Sequence, residues 1–433
     1  GFAGAVGVVV TLGMWLRHGG LDAMSGPGGA ATAAGELAAL LGTYAVLVQL
    51  LLMSRIAWLE RAIGLDRLAV VHRWTGFALV WLLSGHIVLT TLGWAAGSIP
   101  RVSIWHETGW MISHVPDVLM AWVGFALFLA VAVTSVRVAR KKLQRQTWYF
   151  VHLYAYLAVA LSFAHQLAAG SDFTHDRAAR IYWISLYVIV FGSILWWRVL
   201  EPVRLNMRHT LRVHSVRPEA PGVVSIYLSG RGLDRMGARE GQFFLWRFLT
   251  PSGWWQAHPF SLSAAPTSKR LRITVKGLGD YTSSLSRIKR GTRVFAEGPY
   301  GTFTSDRRST RRALLIAGGI GITPLRALLE TFGPEDDVVL CYRVQRAEDA
   351  IFTEELERFA NERGMTIHII AGDVIGDDQT DLLGIPALRK GVPDITTRDC
   401  FVCGPPGLVD AVCRRLRKLH VPPKQIHFER FEF

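Results

Sequence analysis

Four histidines stand in apolar stretches of this chain at regular spacing: His72 and His86 are 14 residues apart, His152 and His165 are 13 apart. An ionisable side chain inside a bilayer-spanning segment is costly and normally functional. On a helix, 13 or 14 residues separate two side chains by about 20 Å along the axis, within a hydrocarbon core about 30 Å thick. Each helix therefore offers one imidazole near one membrane face and one near the other. On parallel helices they pair by depth, His72 with His152 and His86 with His165. Two levels of paired imidazoles are the ligand set of two bis-histidine haems, which makes these four the candidate metal ligands. A step of 14 returns to nearly the same helix face, whereas 13 falls about 140° away, so the segment carrying His152 and His165 is expected to bend, bulge or present its histidines differently. The competing reading is four unrelated, hydrogen-bonded histidines.

Six apolar segments can position them, at roughly 2–16, 36–54, 69–94, 117–136, 148–169 and 181–199. The first is short, and the chain begins at Gly1 rather than Met, so residues upstream are expected to be missing. Basic residues concentrate in alternate connections. Arg55, Arg61, Arg67 and Arg73 follow segment two; Arg137, Arg140, Lys141, Lys142 and Arg145 follow segment four; Arg198, Arg204, Arg208 and Arg212 follow segment six. The opposite connections carry Arg17, Arg101, Arg177 and Arg180. Positive residues stay on the cytoplasmic side, so both termini are expected there, in a plasma (bacterial inner) membrane. The net charge of +14 and pI of about 10.0 are then orientation signals rather than a nucleic-acid footprint. Half the residues are hydrophobic and 19% charged, which excludes a disordered chain; four Cys beside 15 Trp exclude a disulfide scaffold.

Residues 209–305 alternate short β-rich runs with Gly/Pro turns (211–216, 223–228, 242–247, 271–275), which suits a small antiparallel barrel. Within it, Lys276-Gly277-Leu278-Gly279-Asp280-Tyr281-Thr282 is a Gly-rich turn whose amides and hydroxyl suit a pyrophosphate. From Arg312 the pattern becomes strand–helix alternation. A strand at 313–317 runs into Gly318-Gly319-Ile320-Gly321-Ile322-Thr323-Pro324 and a helix expected at 325–330, with Thr323 as its cap and Pro324 at its first position. Glycines there let a pyrophosphate reach the backbone and the helix N-terminus. The next strand, 338–342, ends in Arg343, followed by Gln345 and Arg346, with no acid to hold a ribose 2′-hydroxyl; this favours NADPH, with NADH possible. Cys400 and Cys403 form a CxxC with no second pair to complete a zinc or iron–sulfur site.

The paired-histidine helices resemble those of the ferric reductase and NADPH oxidase superfamily, in its compact prokaryotic form, where one helix carries H-x13-H and another H-x12-H. The second half agrees. His258-Pro259-Phe260-Ser261 resembles that superfamily's HPF[ST] flavin signature, Glu297-Gly298-Pro299-Tyr300-Gly301 resembles the segment closing its barrel, and Phe401-Val402-Cys403-Gly404-Pro405-Pro406-Gly407 resembles its nicotinamide loop. The glycine loop before Pro324 resembles that of ferredoxin-reductase-type nicotinamide domains. The implied fold class is multi-domain: a six-helix transmembrane haem bundle (1–204), then a ferredoxin-reductase-like module of an antiparallel β-barrel FAD domain (205–308) and an α/β nicotinamide domain (309–433).

The implied cofactors are FAD, two b-type haems and NADPH. The resemblance assigns FAD to His258, Pro259, Phe260, Ser261, Lys276, Gly279, Tyr281 and Thr282. The nucleotide falls to Gly318, Gly319, Gly321, Thr323, Pro324, Arg343, Arg346, Cys403, Gly404 and Pro405. Ser261, Cys403 and Phe433 are the residues expected at the reacting rings, Phe433 as the C-terminal aromatic over the flavin, with Phe431 as fallback. Arg55 and Arg73, with Arg145, are assigned to inner haem propionates and Arg101 to outer ones. The sequence departs from superoxide-forming relatives at three places. They tend to carry an Arg where Gly35-Glu36-Leu37-Ala38 stands, a His where Thr90 stands, and many relatives an aromatic where Ala158 stands.

The implied activity is transmembrane electron transfer from NADPH through FAD and two haems. The acceptor is expected to be oxygen, giving superoxide. The alternatives are ferric or cupric reduction, for which His106, Glu107, His114, Asp172, His175 and Asp176 are outer-loop candidates, and an external redox partner. A haem-binding sensor or transport module with a vestigial reductase is the reading from another class. Besides membrane lipid and the acceptor, no partner is expected: no nucleic acid, and, with no EF-hand or long insert, no cytosolic activator.

Overall fold

The computed structural model describes residues 2–136, 139, 142–143, 145–169, 176–372 and 381–431. Arg137, Arg140, Lys141, Asp172, His175, Phe433 and the side chain of Arg145 lie outside that description. The chain divides into two compact units, Gly1–Leu59 with Leu65–Val199, and Glu60–Gly64 with Leu200–Phe433.

The first unit is helical: α1 (Phe2–Arg17), α2 (Gly29–Leu52), α3 (Ala57–Ile63), α4 (Leu65–Gly97), α5 (Ile104–His114), α6 (Val118–Ser135), α7 (Arg145–Ala169) and α8 (Arg177–Leu195). Each of the six expected segments is a helix. Among the described residues, five helices are long and apolar enough to cross a membrane; α1 is apolar but shorter. α2 packs along α4, and α6 along α7. Leu47, Leu79, Phe128, Val159 and Trp183 form the centre. The outward faces remain apolar, with Trp81 78% and Val188 65% exposed. That pattern belongs to helices whose solvent is lipid. α5 is not foreseen by the apolar pattern; Ser103 caps it by accepting from His106 N at 3.2 Å.

The second unit starts with α9 (Glu201–His209), reached from α8 through a π-helical turn, Trp196–Leu200. Asn206 fastens α9 to the barrel, donating to Ala296 O at 2.7 Å and accepting from Ala296 N at 2.8 Å. Two three-stranded antiparallel sheets follow: β1 (Arg212–Ala220), β2 (Val223–Ser229) and β5 (Arg270–Lys276); then β4 (His258–Ser261), β3 (Phe243–Phe248) and β6 (Val294–Tyr300). Bridges Arg212↔Arg293 and Leu262↔Ile273 join them at both margins and close the barrel. Closure leaves few open edges. Phe244, Trp246, Phe248, Ile226 and Leu228 fill it.

The chain then builds a five-stranded parallel sheet in the order β11-β10-β7-β8-β9, from β7 (Arg312–Gly318), β8 (Asp337–Val344), β9 (Thr366–Ala371), β10 (Asp399–Gly404) and β11 (Ile426–Arg430). Helices α11 (Ile322–Leu329), α12 (Thr353–Arg363), α13 (Ile385–Gly391) and α14 (Pro406–Lys418) accompany it; α10 (Asp280–Ser284) belongs to the barrel. Apolar cores cover both sheet faces, as a parallel sheet requires. This is the expected fold class.

A buried ionic cluster joins the barrel to the parallel sheet. Arg272 on β5 and Arg326 on α11, each 4% exposed, converge on Glu355 of α12. Arg272 Nη1 lies 2.7 Å from Glu355 Oε1, and its Nη2 donates to Ser263 O at 2.6 Å. Arg326 also pairs with Glu330, which accepts from Ala265 N at 2.9 Å. Burial raises the Glu355 carboxyl, but bonds and charge from Arg272 and then Arg326 outweigh it and hold it below its ordinary value. Its contribution is therefore present above the unfolded carboxyl's pKa of about 4.3 and fades as pH falls through the folded value. Glu355→Gln leaves two buried guanidiniums facing each other, a loss of about 3 kcal/mol. The expected result is a fluorescence-monitored melting temperature lowered by roughly 5–10 °C in the full-length, detergent-solubilised protein. An unchanged melting temperature would show that the cluster carries no stability.

Candidate cofactor sites

The histidines of α4 and α7 stand as depth-matched pairs. The rings of His72 and His152 lie 6.1 Å apart, centre to centre. His86 and His165 lie near one another, and His165 lies beside Pro116 and Asp117. Three of the four rings have an Nδ1 partner. His72 Nδ1 lies 3.3 Å from Gln49 O, His86 Nδ1 3.0 Å from Gly35 O, and His152 Nδ1 3.4 Å from Ser135 Oγ. A carbonyl only accepts, so Nδ1 carries the proton in His72 and His86. Nε2 then keeps its lone pair, the tautomer of a metal-ligating imidazole.

Two imidazoles bound to one metal from opposite sides, each nitrogen about 2 Å from it, have ring centres about 6 Å apart. The His72–His152 separation fits that requirement. No group of three or more His, Cys, Asp or Glu able to hold a bare ion occurs among the described residues. A porphyrin, which brings its own equatorial nitrogens, matches a two-histidine site.

Of the alternatives for the second histidine helix, the structure shows a different presentation of its histidines: α7 is α-helical throughout Arg145–Ala169. Its two histidines project at different angles, because a regular helix turns 100° per residue. Ala158 is fully buried against Gly124 of α6. Arg55, half-buried, occupies the α2–α3 connection at φ 65°, and Arg73 is exposed beside His72.

In the barrel, β4 pairs with β3, and Trp246 Nε1 donates to Phe260 O at 2.9 Å. His258 stacks on Tyr281, with ring centres 4.3 Å apart and planes 13° from parallel; Phe260 is half-buried and Pro259 exposed. The Ser261 hydroxyl is buried without a hydrogen-bond partner. An orphaned hydroxyl on an HPF[ST] strand suits a group with its own polar edge, as a flavin has. The turn after exposed Lys276 differs from expectation. Thr282 Oγ1 accepts from Leu278 N at 2.9 Å and Gly279 N at 3.1 Å, so these amides and this hydroxyl satisfy each other instead of standing open for a pyrophosphate.

In the parallel sheet, the chain adds β8 and β9 on one side of β7, then β10 and β11 on the other. The crevice at the carboxyl ends of β7 and β10 is therefore the topological switch point, where such folds bind ligands. Gly318, Gly319 and Gly321 sit at one of these ends, Gly404 and Pro405 at the other. A Cβ on Gly321 would overlap the Cys403 carbonyl, so only glycine permits this approach. Gly319, at φ 54°, faces open space. The helix starts earlier than expected: Gly321 is its N-cap, and Thr323 lies inside it, donating to Ile320 O at 3.0 Å instead of capping, with Pro324 following. β-strand alternation puts Cys400 and Cys403 in opposite cores, which excludes their pairing.

Two further assignments need correction. Arg343 does not present its charge to a 2′-phosphate: its Nη1 lies 2.6 Å from Asp381 Oδ1, with both side chains buried. Arg346 is exposed but held by Glu348 and Asp349, each at 2.9 Å. Cys403, expected at the reacting rings, is fully buried, and burial pushes its thiol far above the ordinary range, so it packs as a neutral side chain. Phe431, half-buried, donates its backbone N–H to Gly404 O at 3.1 Å, placing the C-terminal strand's exit beside the nicotinamide-type loop. Sequence reasoning missed the carbonyls of Gly35 and Gln49. Their 14-residue separation, equal to that of His72 and His86, was the available signal.

The fold and these sites define a membrane oxidoreductase with FAD- and NAD-binding domains. Residues 38–163 match the family described as "Ferric reductase like transmembrane component", 222–304 an FAD-binding domain, and 315–414 an oxidoreductase NAD-binding domain. In that order, the three give the chain the ferric reductase/NADPH oxidase-like architecture. Among curated relatives, the NADH oxidoreductase HCR of Escherichia coli (strain K12) is 29% identical over 217 residues, 49% of this chain and 65% of that protein. A flavohemoprotein of Vibrio cholerae is 29% identical over 195 residues, 42% of this chain and 49% of that protein. The chain thus spans roughly half to just under two thirds of the length of these relatives. The FAD/NAD-binding domain of nitric oxide dioxygenase from Vibrio cholerae O1 is a similar solved structure, 23% identical, covering 51% of this chain and 98% of that one, with a TM-score of 0.45.

All four cysteines are buried reduced thiols, with Cys341 pushed up to about 11 and Cys400 to about 12 by burial. At pH 7.5, N-ethylmaleimide is expected to label none of them within minutes in the native protein and all four in denaturant, read by intact mass. Rapid native labelling of Cys403 would contradict its burial and its neutral state.

Proposed function

We propose that this protein carries electrons from cytosolic NAD(P)H, through FAD and two b-type haems, to an acceptor across the membrane, with oxygen reduced to superoxide. The observation that carries the reading is the histidine arrangement. Depth-matched imidazoles stand on two helices, with the Nδ1 of His72 and of His86 tied to carbonyls of a third. When bound, FAD would accept one hydride, an electron pair with its proton, and would pass the electrons singly to haem iron and the proton to solvent.

The chain's own part is to bind and orient. Gln49 O and Gly35 O hold the rings of His72 and His86, and Ser135 Oγ faces that of His152. Ser261 offers a buried hydroxyl to the flavin edge. The Gly318–Gly321 and Gly404–Pro405 ends admit a dinucleotide close to the backbone, and Cys403 stays neutral beside them. No side chain need move a proton.

The match to a ferric reductase like component favours a second reading, reduction of ferric or cupric ions. Of the outer-loop residues proposed for metal, Asp176, His114 and Glu107 are otherwise engaged, His106 is exposed, and Asp172 and His175 lie outside the described residues. Asp176 accepts from Ala178 N at 2.7 Å and lies 2.7 Å from His18 Nε2; His114 stacks on Trp110; Glu107 is buried beside Ser98. A small neutral acceptor needs no such ligands.

In detergent, with FAD and haem loaded, NAD(P)H in air should reduce cytochrome c, and superoxide dismutase should suppress most of that signal. Dismutase-insensitive reduction would move metal or partner reduction to first place. His72→Leu should remove about half the reduced-haem absorbance and leave the remaining haem reducible by dithionite but not by nucleotide. Full haem content in that variant would sink the ligand assignment. Ser261→Ala should retain folding but slow flavin reduction at least several-fold in anaerobic stopped flow.

A further inference from the structure

The end of β8 bears on which nucleotide the site takes, an inference that rests on the proposed function. In a doubly wound sheet, the adenosine ribose lies at the end of the strand after the glycine-loop helix, here Val344 and the turn that follows. Two arginines made that end look suited to a 2′-phosphate, and the structure removes one of them. Arg343 shares the buried Asp381 carboxylate with Arg415, whose Nη1 lies 2.7 Å from Asp381 Oδ2, and Leu383 N donates to the same carboxylate at 3.1 Å. Withdrawing Arg343 would break a buried network, which is strongly unfavourable.

Arg346 remains, 68% exposed, with Nη2 and Nε on Asp349 at 2.9 and 3.2 Å and Nη1 on Glu348 at 2.9 Å. Lys276, at the end of β5, is near enough for its charge to act on Asp349. The turn thus sets two carboxylates among its two cations. A phosphate monoester carries a charge of about −1.5 to −2 at pH 7 and would be brought against both acids. A ribose hydroxyl is a donor, which a carboxylate accepts.

We propose that the turn Arg346–Asp349 selects NADH over NADPH, with Glu348 and Asp349 as the specificity-determining residues. Like-charge juxtaposition of this kind opposes the wrong ligand by an amount worth roughly tenfold or more in efficiency.

The test is anaerobic stopped-flow reduction of the flavin in full-length, FAD-loaded protein, comparing NADH with NADPH. Wild type is expected to show kcat/KM at least about tenfold higher for NADH, mostly through KM. In the double variant Glu348→Gln/Asp349→Asn, NADPH should gain at least several-fold while NADH loses. A wild-type preference for NADPH, equal use of both, or an unchanged ratio in the double variant overturns the inference and leaves the electron-transfer reading standing. No reduction by either nucleotide, with the flavin still reducible by dithionite, overturns the nucleotide reading and this inference with it.

Discussion

The carbonyl oxygens of Gly35 and Gln49, one near each end of α2, face the Nδ1 atoms of His86 and His72 on α4. Both pairs are separated by 14 residues, so antiparallel helices at one register satisfy both contacts together. A shift of α2 by one residue would turn both carbonyls away, since each residue rotates by 100°. Close approach is required at the Gly35 end: a Cβ there would stand 2.9 Å from Thr90 N and collide with its side chain. Thr90 Oγ1 in turn lies 3.3 Å from His86 Nδ1. Near Gln49, Thr75 bonds the Gln49 side chain while His72 meets its carbonyl. The tautomers of His72 and His86 thus depend on backbone packing between two helices, which single side-chain changes elsewhere do not easily disturb.

Two of the places where the sequence departs from superoxide-forming relatives meet at that contact. The small residue at Gly35 and the hydroxyl at Thr90 touch one another, so they form one packing feature rather than two separate losses. A longer side chain at either place would force the helices apart and free the His86 ring. The surroundings of His86 are therefore built from backbone and hydroxyl oxygens instead of added charge.

Much of this architecture was legible because its signals are periodic or local. Histidines repeating on apolar segments, HPFS on a short strand, and glycines between strand and helix depend on neighbours a few residues away. What was not legible depends on partners distant in sequence. Arg343 reads as a free cation until Asp381, 38 residues on, buries it. Thr282 reads as a ligand until it closes on the amides of its own turn. The 13-residue step between His152 and His165 left three alternatives open, a bend, a bulge or a different presentation of the two rings, and spacing alone does not choose among them. A regular α7 instead projects His152 and His165 at different angles, because each residue turns the helix by 100°. α5 lacked a sustained apolar run, and its capping by Ser103 is a weak signal without the fold.

The second unit shows the same economy of moving parts. Asp399, fully buried, accepts from Ser309 N at 2.6 Å and Thr310 N at 2.8 Å, and Arg398 is held between Asp337 and Asp394. With Arg272, Arg326 and Glu355, these pairs commit the unit's buried charges to fixing strands and helices relative to one another. Burial keeps the thiols protonated as well. A site built for acid–base chemistry would instead poise a titratable group near neutral pH in its crevice. Hydride transfer between two bound rings asks chiefly for fixed separation and orientation, which costs a thousandfold or more when lost. A barrel clamped to a parallel sheet by paired charges, with a neutral cysteine and close-packed glycines at the switch point, meets that requirement.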